Sequence, residues 1–494
     1  MNWRAWIAAT GLAFGSPLVA QSAEVVLTAK SGDLTIEGEI LSFDGEFYEV
    51  RSDLGTLTVD ARSVSCAGEG CPPADALVSR FAVGGSDTAP GLMAALLESY
   101  ALMLGAELEQ DDITLKITGP EGLLAEVALT PSGDVDATLS GGASGIVLHD
   151  GPIRDPERAR MIAQDALVAI VSPSNTLDAL SLAQMAQIAD GRISNWKDVG
   201  GGDVPINLHV AQGTVGFTAV AAGRELLSPE GLALATHPRM RDAADAVATD
   251  PFGMAFVPMS AMRAAEPLGL RGGCGIVVAA AGFDVKTGAY PLGYALVIER
   301  PATRLPVFAR EFVDWLASEP ARNVIADFGY TPTGLSERGI AEQGQRLANT
   351  ILSVGEEVSL SEVQDLVRMM SGATRLSATF RFRPGSTQLD APSRAAADLL
   401  AEGLILGNYA DKIVHLAGFS DAAGGAAQNR ALSEKRAAAV LKAVIAAAPD
   451  GSLDDVRFEV AGYGEASPLV CEDDAAGAAV NRRVEVWIKD ATGQ

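Results

Sequence analysis

Histidine is scarce. There are four in 494 residues (His149, His209, His237, His415), scattered and without metal-ligand spacing. No serine stands in a Gly-x-Ser-x-Gly elbow, and no nucleophile sits beside a base. This composition argues against a hydrolase, a zinc enzyme or any other enzyme, and no cofactor is expected. Basic residues are also in deficit: 37 Lys and Arg face 63 Asp and Glu, a formal charge of −26. A nucleic-acid or anionic-membrane binder needs a basic face, so those classes are excluded as partners. Beyond the N-terminus, no stretch is long and apolar enough to span a bilayer.

What the chain does have begins with an address. Met1-Asn2-Trp3-Arg4 is a short positive segment, Ala5 to Phe14 is mostly apolar, and Ser16-Pro17-Leu18-Val19-Ala20 ends in a small residue. The pattern predicts a signal peptide over residues 1–23, cut near Ala20 or Ala23, and export to the periplasm. Disulfides are permitted there. Cys66 and Cys71 bracket a flexible Ala-Gly-Glu-Gly stretch and are expected to bond, zinc being the lesser reading because no second cysteine pair or histidine cluster accompanies them. Cys274 and Cys471 lie in different segments, and their pairing stays open.

Residues 25–72 read as all-β: short alternating runs (Leu34, Ile36; Phe47, Tyr48, Val50; Leu57, Val59) separated by Asp/Gly turns. A small β barrel is expected, acting as a structural or contact module. Pro72-Pro73 marks a boundary. Arg80 to Val83 then runs into Gly84-Gly85-Ser86-Asp87-Thr88-Ala89-Pro90 and an apolar helix over 91–104. A strand, a small-residue turn and a helix can present backbone N–H groups to an anion. A plain N-cap is the other reading. Leu167 to Val171 predicts a buried strand. Residues 336–374 show helical spacing and are expected to be a helical linker, a semi-rigid spacer. Residues 375–490 alternate strand and helix in the order βαβαββ.

The chemistry concentrates near the C-terminus. Gly418-Phe419-Ser420-Asp421 ends a strand, Gly424-Gly425 turns, and a helix carries Asn429 and Arg436 seven apart, on one face. An acid and a guanidinium lining one pocket suit a zwitterion: Arg grips a carboxylate and Asp takes an ammonium. An incidental ion pair is the plainer reading of that spacing alone. Phe382-Arg383-Pro384-Gly385-Ser386 precedes this stretch; Gly462-Tyr463-Gly464-Glu465 and Asn481-Arg482-Arg483-Val484-Glu485-Val486 follow it. In that order the motifs resemble the OmpA C-terminal-like peptidoglycan-binding domain over about 375–490. The resemblance implies that Asp421 and Arg436, with Asn429, hold the diaminopimelate of a peptidoglycan stem peptide.

A second resemblance spans 78–335. Gly191-Arg192-Ile193-Ser194-Asn195-Trp196-Lys197-Asp198 carries it, with Gly253-Met254-Ala255-Phe256-Val257, Tyr290-Pro291-Leu292 and Gly329-Tyr330-Thr331-Pro332 in order. These resemble the PstS-like phosphate receptors of ABC importers. The likeness implies two α/β lobes hinged by crossover strands near 165–170 and 285–290, with a small anion such as phosphate in the cleft. It implies an ABC permease or an outer-membrane component as a partner. Ser86, Thr88, Asp150, Gly213 and Thr214 fall at the family's anion contacts, and Asp150 would accept a phosphate proton and so reject sulfate. Gln212 replaces the family's Ser, no clear Ser-Ser-Gly is present, and Leu208-His209 stands where its Arg is expected. Loss of that guanidinium removes a charge-assisted contact of roughly 1.5–3 kcal/mol. Two functions remain open: a solute-binding protein anchored to peptidoglycan, or a wall-anchored scaffold whose receptor-like module no longer binds phosphate.

Overall fold

A computed structural model describes residues 24–32, 34–85, 89–130, 145–150, 153–211, 234–352, 354–355, 357–383 and 386–491. The expected signal peptide, residues 1–23, lies outside them.

The first unit is a five-stranded antiparallel sheet of β1 (Glu24–Ala29), β2 (Thr35–Phe43), β3 (Phe47–Ser52), β4 (Gly55–Asp60) and β5 (Val64–Ala67), in the order β4-β3-β2-β1-β5. Alternation buries Val25 and Leu27 from β1 with Tyr48 and Val50 from β3. Among the described residues β4 and β5 are the sheet's edges, so strand pairing does not close the expected barrel. The sheet instead leans on its neighbour: Arg304 and Arg310 both pair with Glu46, and Arg62 Nη1 reaches Glu311 at 3.0 Å. Cys66 and Cys71 are bonded, with Cα atoms 5.8 Å apart.

The second unit is two-lobed. Its strands include β6 (Ser79–Gly85), β7 (Glu107–Asp111), β8 (Thr114–Gly119), β9 (Gly122–Leu129), β10 (Gly145–His149) and β11 (Ala159–Val171). They belong to a 12-stranded sheet that runs from Leu234–His237 through Asn207–Ala211, Gly253–Pro258, β11, Gly293–Glu299, β10, β6, β9 and β8 to β7. β11 is 13 residues long and serves both lobes. Its first half pairs with Gly293–Glu299, and its apolar second half, Leu167 to Val171, pairs with Gly253–Pro258. Each lobe has its own core. One packs helix Ala89–Met103 with Val307–Trp315 and Glu319–Asp327; the other packs Leu182–Ala189 and Met240–Thr249. The second crossover strand is 293–299, not 285–290. Gly282–Lys286 is a short helix, and Gly288 turns the chain at φ +63°, a conformation that glycine adopts without a Cβ clash.

The third unit is a five-stranded sheet in the order Glu337–Gly339, Ala373–Arg381, Arg483–Asp490, Lys412–Gly418, Arg457–Gly462. Helices Ala391–Ile405 and Ala426–Ala446 cover one face over Leu376, Phe380, Val414, Leu416, Val484 and Val486. Strand periodicity turns Trp487 and Ala417 to the other face, where helix Leu360–Met370 covers them with Val363, Leu366 and Met370. Ser359 and Glu362 form the capping box that starts this helix. The 336–374 segment therefore packs onto the sheet and is no spacer: the sheet has a second apolar face to bury.

The second and third units are stapled together. Cys274 and Cys471 are bonded, Gly273 N donates to Asp473 Oδ2 at 2.8 Å, and Arg338 Nη1 lies 3.0 and 2.9 Å from the Asp284 oxygens. A largely apolar cavity of 590 Å³ opens beside the disulfide, lined by Leu270, Tyr290 and Val480 among others.

Candidate functional site

The C-terminal pocket depends on a close approach of helix to sheet. Gly418 and Gly462 are paired in parallel register. A Cβ on Gly418 would meet Ser433 O at 2.1 Å, and one on Gly462 would meet Arg430 O and Glu434 N at 2.5 Å. Only glycine lets helix 426–446 sit so close. Ser433 fixes the contact: its Oγ donates to Arg430 O at 2.8 Å and accepts from Gly464 N at 3.1 Å. Seating the helix at Ser433 carries Asn429 and Arg436 inward, where they are 4% and 3% exposed.

Arg436 lies over the Phe382 ring, 5.3 Å from its centroid. Its Nε and Nη1 are buried and have no hydrogen-bond partner. Burial and the nearby Arg482 charge hold this guanidinium below its ordinary pKa, against the pull of Asp421. Asp421 accepts from Arg482 Nη1 at 2.5 Å. Asn429 Nδ2 donates to Asp421 O at 3.3 Å and to Glu465 Oε1 at 2.6 Å. Burial pushes the Glu465 carboxyl up against that hydrogen bond, and the charges of Glu357, Glu472 and Asp421 push the same way. Glu472 accepts from Ala422 N, and Glu357 accepts from Ala426 N at 3.0 Å, where the start of the helix favours an anion.

The site thus sets one under-satisfied guanidinium near Asp421, which in turn belongs to a group of carboxylates around Glu465, a layout that can hold a carboxylate and an ammonium of one ligand. Asp421, Asn429 and Arg436, singled out in the sequence, are brought together. Arg482 and Glu465 were visible as motif residues but had no role. Glu357 left no trace in the sequence, because its contact crosses 69 residues.

In the two-lobed unit Asp150 is half-buried just past β10. Gly85 pairs with Leu148, so the chain leaves β6 and β10 at one edge of the sheet. Ser86, Thr88, Gly213 and Thr214 lie outside the described residues. Tyr294 is pushed up by burial, then by the charges of Asp165 and Asp150. Asp165 is 1% exposed, and its Oδ2 accepts from Ser260 Oγ at 2.5 Å. Burial pushes its carboxyl up to about 6 against these hydrogen bonds. His209 is buried between His237 (Nδ1 to Nε2, 2.9 Å) and Asp250 (Nε2 to Oδ2, 3.2 Å).

Residues 381–482 match the OmpA family, so the C-terminal unit is an OmpA domain. The probable lipoprotein YiaD of Escherichia coli (strain K12) is 28% identical over 146 residues, 30% of this chain and 61% of that protein. The chain thus spans about three fifths of that relative's length. Among solved structures, an ABC-type phosphate transport receptor from Vibrio cholerae is 19% identical, with a TM-score of 0.40, covering 51% of this chain and all of its own. The peptidoglycan-associated lipoprotein of Burkholderia pseudomallei is 24% identical, with a TM-score of 0.20, covering 22% of this chain and 89% of its own.

Proposed function

We propose that this is a cell-envelope binding protein of the periplasm, held non-covalently to peptidoglycan by its OmpA domain. The observation that carries this reading is Arg436: a buried guanidinium with two unpartnered nitrogens, within electrostatic reach of Asp421. An unpaired buried cation is costly, and a ligand carboxylate offers the bidentate partner that it lacks. In this reading the free carboxylate of diaminopimelate takes Arg436, and its ammonium faces Asp421 and Glu465. Full-length protein should sediment with diaminopimelate-type peptidoglycan. Asp421→Ala and Arg436→Ala should remain in the supernatant while keeping their circular dichroism. Retention of both variants on the pellet would refute the site.

The two-lobed unit, in the same proposal, takes a small anion such as phosphate beside Asp150 and passes it to an ABC permease or another envelope partner. A second reading makes this unit a docking scaffold. One observation favours it: His209, which stands where the receptor family has Arg, is engaged by Asp250 and His237. Calorimetry of ligand-stripped protein with phosphate separates the two. A saturable heat that Asp150→Asn alters supports the receptor; no heat supports the scaffold.

A further inference from the structure

At the junction of the two-lobed unit and the OmpA domain lies a second, smaller cavity of 170 Å³. Val278 and Asp284 line one side; Arg338, Arg346 and Arg375 line the other. Arg346 and Arg375 converge on a single carboxylate. Glu485 is fully buried and accepts from Arg483 Nε at 2.6 Å, Arg346 Nη2 at 2.8 Å and Trp487 Nε1 at 3.0 Å. With three hydrogen bonds taken, it serves Arg375 poorly. Arg375 Nη2 lies 3.2 Å from Glu485 Oε1 in ion-pair contact, but neither Nη2 nor Nε finds a hydrogen-bond acceptor. Arg375 is 2% exposed and otherwise rests against the Phe283 ring, 5.4 Å from its centroid.

The surrounding charges do not correct this excess. Arg338 is neutralised by Asp284, and Arg381 donates to the carbonyls of Thr287 and Gly288. Glu342, the remaining acid on the cavity wall, is exposed. Around Glu485 three guanidiniums therefore meet one carboxylate. Buried charge persists only with a counter-charge and satisfied donors. The cavity is large enough for an ion of a few heavy atoms, each water-sized share being about 30 Å³. Planar forks are the donors that match tetrahedral oxyanions.

We propose that this cavity is a binding site for a small inorganic oxyanion of the sulfate or phosphate class, gripped by Arg375, with the charge of the already engaged Arg346 beside it, and bridging the two units. It is separate from the cleft beside Asp150. Sulfate is the discriminating probe, because a cleft that demands a ligand proton rejects it at neutral pH.

The test titrates full-length protein with sodium sulfate at pH 7, against chloride of matched ionic strength. The wild type should show one saturable site. Arg375→Gln should weaken it at least about tenfold, the loss of one charge-assisted contact. Asp284→Asn releases Arg338 toward the cavity and should tighten binding several-fold, a gain that a misfolded variant cannot imitate. Absence of saturable sulfate binding in the wild type overturns the proposal. So does an affinity unchanged in folded Arg375→Gln, or unchanged in Asp284→Asn. None of these outcomes bears on sedimentation with peptidoglycan or on phosphate binding in the cleft.

Discussion

Asp165 in the two-lobed unit and Glu485 in the OmpA domain are buried carboxylates held in opposite ways. In the first, Asp165 is surrounded by neutral donors, the Ser260 hydroxyl and the amides of Ala166 and Ser260. Its carboxyl rises to about 6. In the second, Glu485 is held far below the usual carboxylate range: burial would raise it, but Arg346, Arg375 and Arg483 outweigh burial. One unit therefore stores a carboxylate close to its neutral form, and the other stores a surplus of positive charge. The difference shows where an anion is welcome. Among the described residues, the guanidiniums with buried, unpartnered nitrogens are Arg375 and Arg436, both in the OmpA domain.

The strongest way to break this contrast is Glu485→Gln. It leaves Arg346, Arg375 and Arg483 without their shared carboxylate, and should destabilise the OmpA domain by roughly 3–5 kcal/mol. Urea unfolding followed by Trp487 fluorescence would show it; a loss below about 1 kcal/mol would mean that the cluster is hydrated rather than dry.

Asp165→Asn should do the reverse. A carboxyl whose folded pKa is raised binds its proton more tightly when folded. Its contribution is complete below the unfolded pKa of about 3.9 and is lost as pH climbs through about 6. Relative to wild type, the variant should therefore gain up to about 3 kcal/mol between pH 4 and pH 7. Parallel stability curves across that range would contradict the assignment. The smallest effect is expected for Cys274→Ser with Cys471→Ser. Disulfides often contribute less than loop entropy predicts, so the loss should be about 2 kcal/mol, the low end for a disulfide. Small-angle scattering should then show a less compact particle, and an unchanged profile would mean that polar contacts alone fix the units.

Much of this was legible in local pattern. The apolar run Leu167–Val171 announced a buried strand, and the spacing of Asn429 and Arg436 announced a shared helix face. The zwitterion pocket, read from residue types, is a proposal that the sedimentation experiment tests. What escaped was everything that needs distant parts of the chain. Cys274 and Cys471 stand 197 residues apart, and Arg375 meets Glu485 only because Ala373–Arg381 pairs with Arg483–Asp490. Helix Leu360–Met370 looked like a spacer because its amphipathic pattern does not say which face it will cover. Trp487, pointing away from Val486 and Ile488, supplies that face. The cleft residues were drawn from a family likeness, and those of them outside the described residues gain nothing further from the fold.

In the proposed complex the guanidinium of Arg436 meets a ligand carboxylate. The most direct test compares full-length protein on two walls, one with diaminopimelate and one with lysine at the same stem position. Lysine offers the ammonium without the second carboxylate. The protein should sediment with the diaminopimelate wall, bind the lysine wall at least about tenfold more weakly, and lose that preference in Arg436→Ala. Equal binding of the wild type to both walls, or a preference that survives Arg436→Ala, would contradict it.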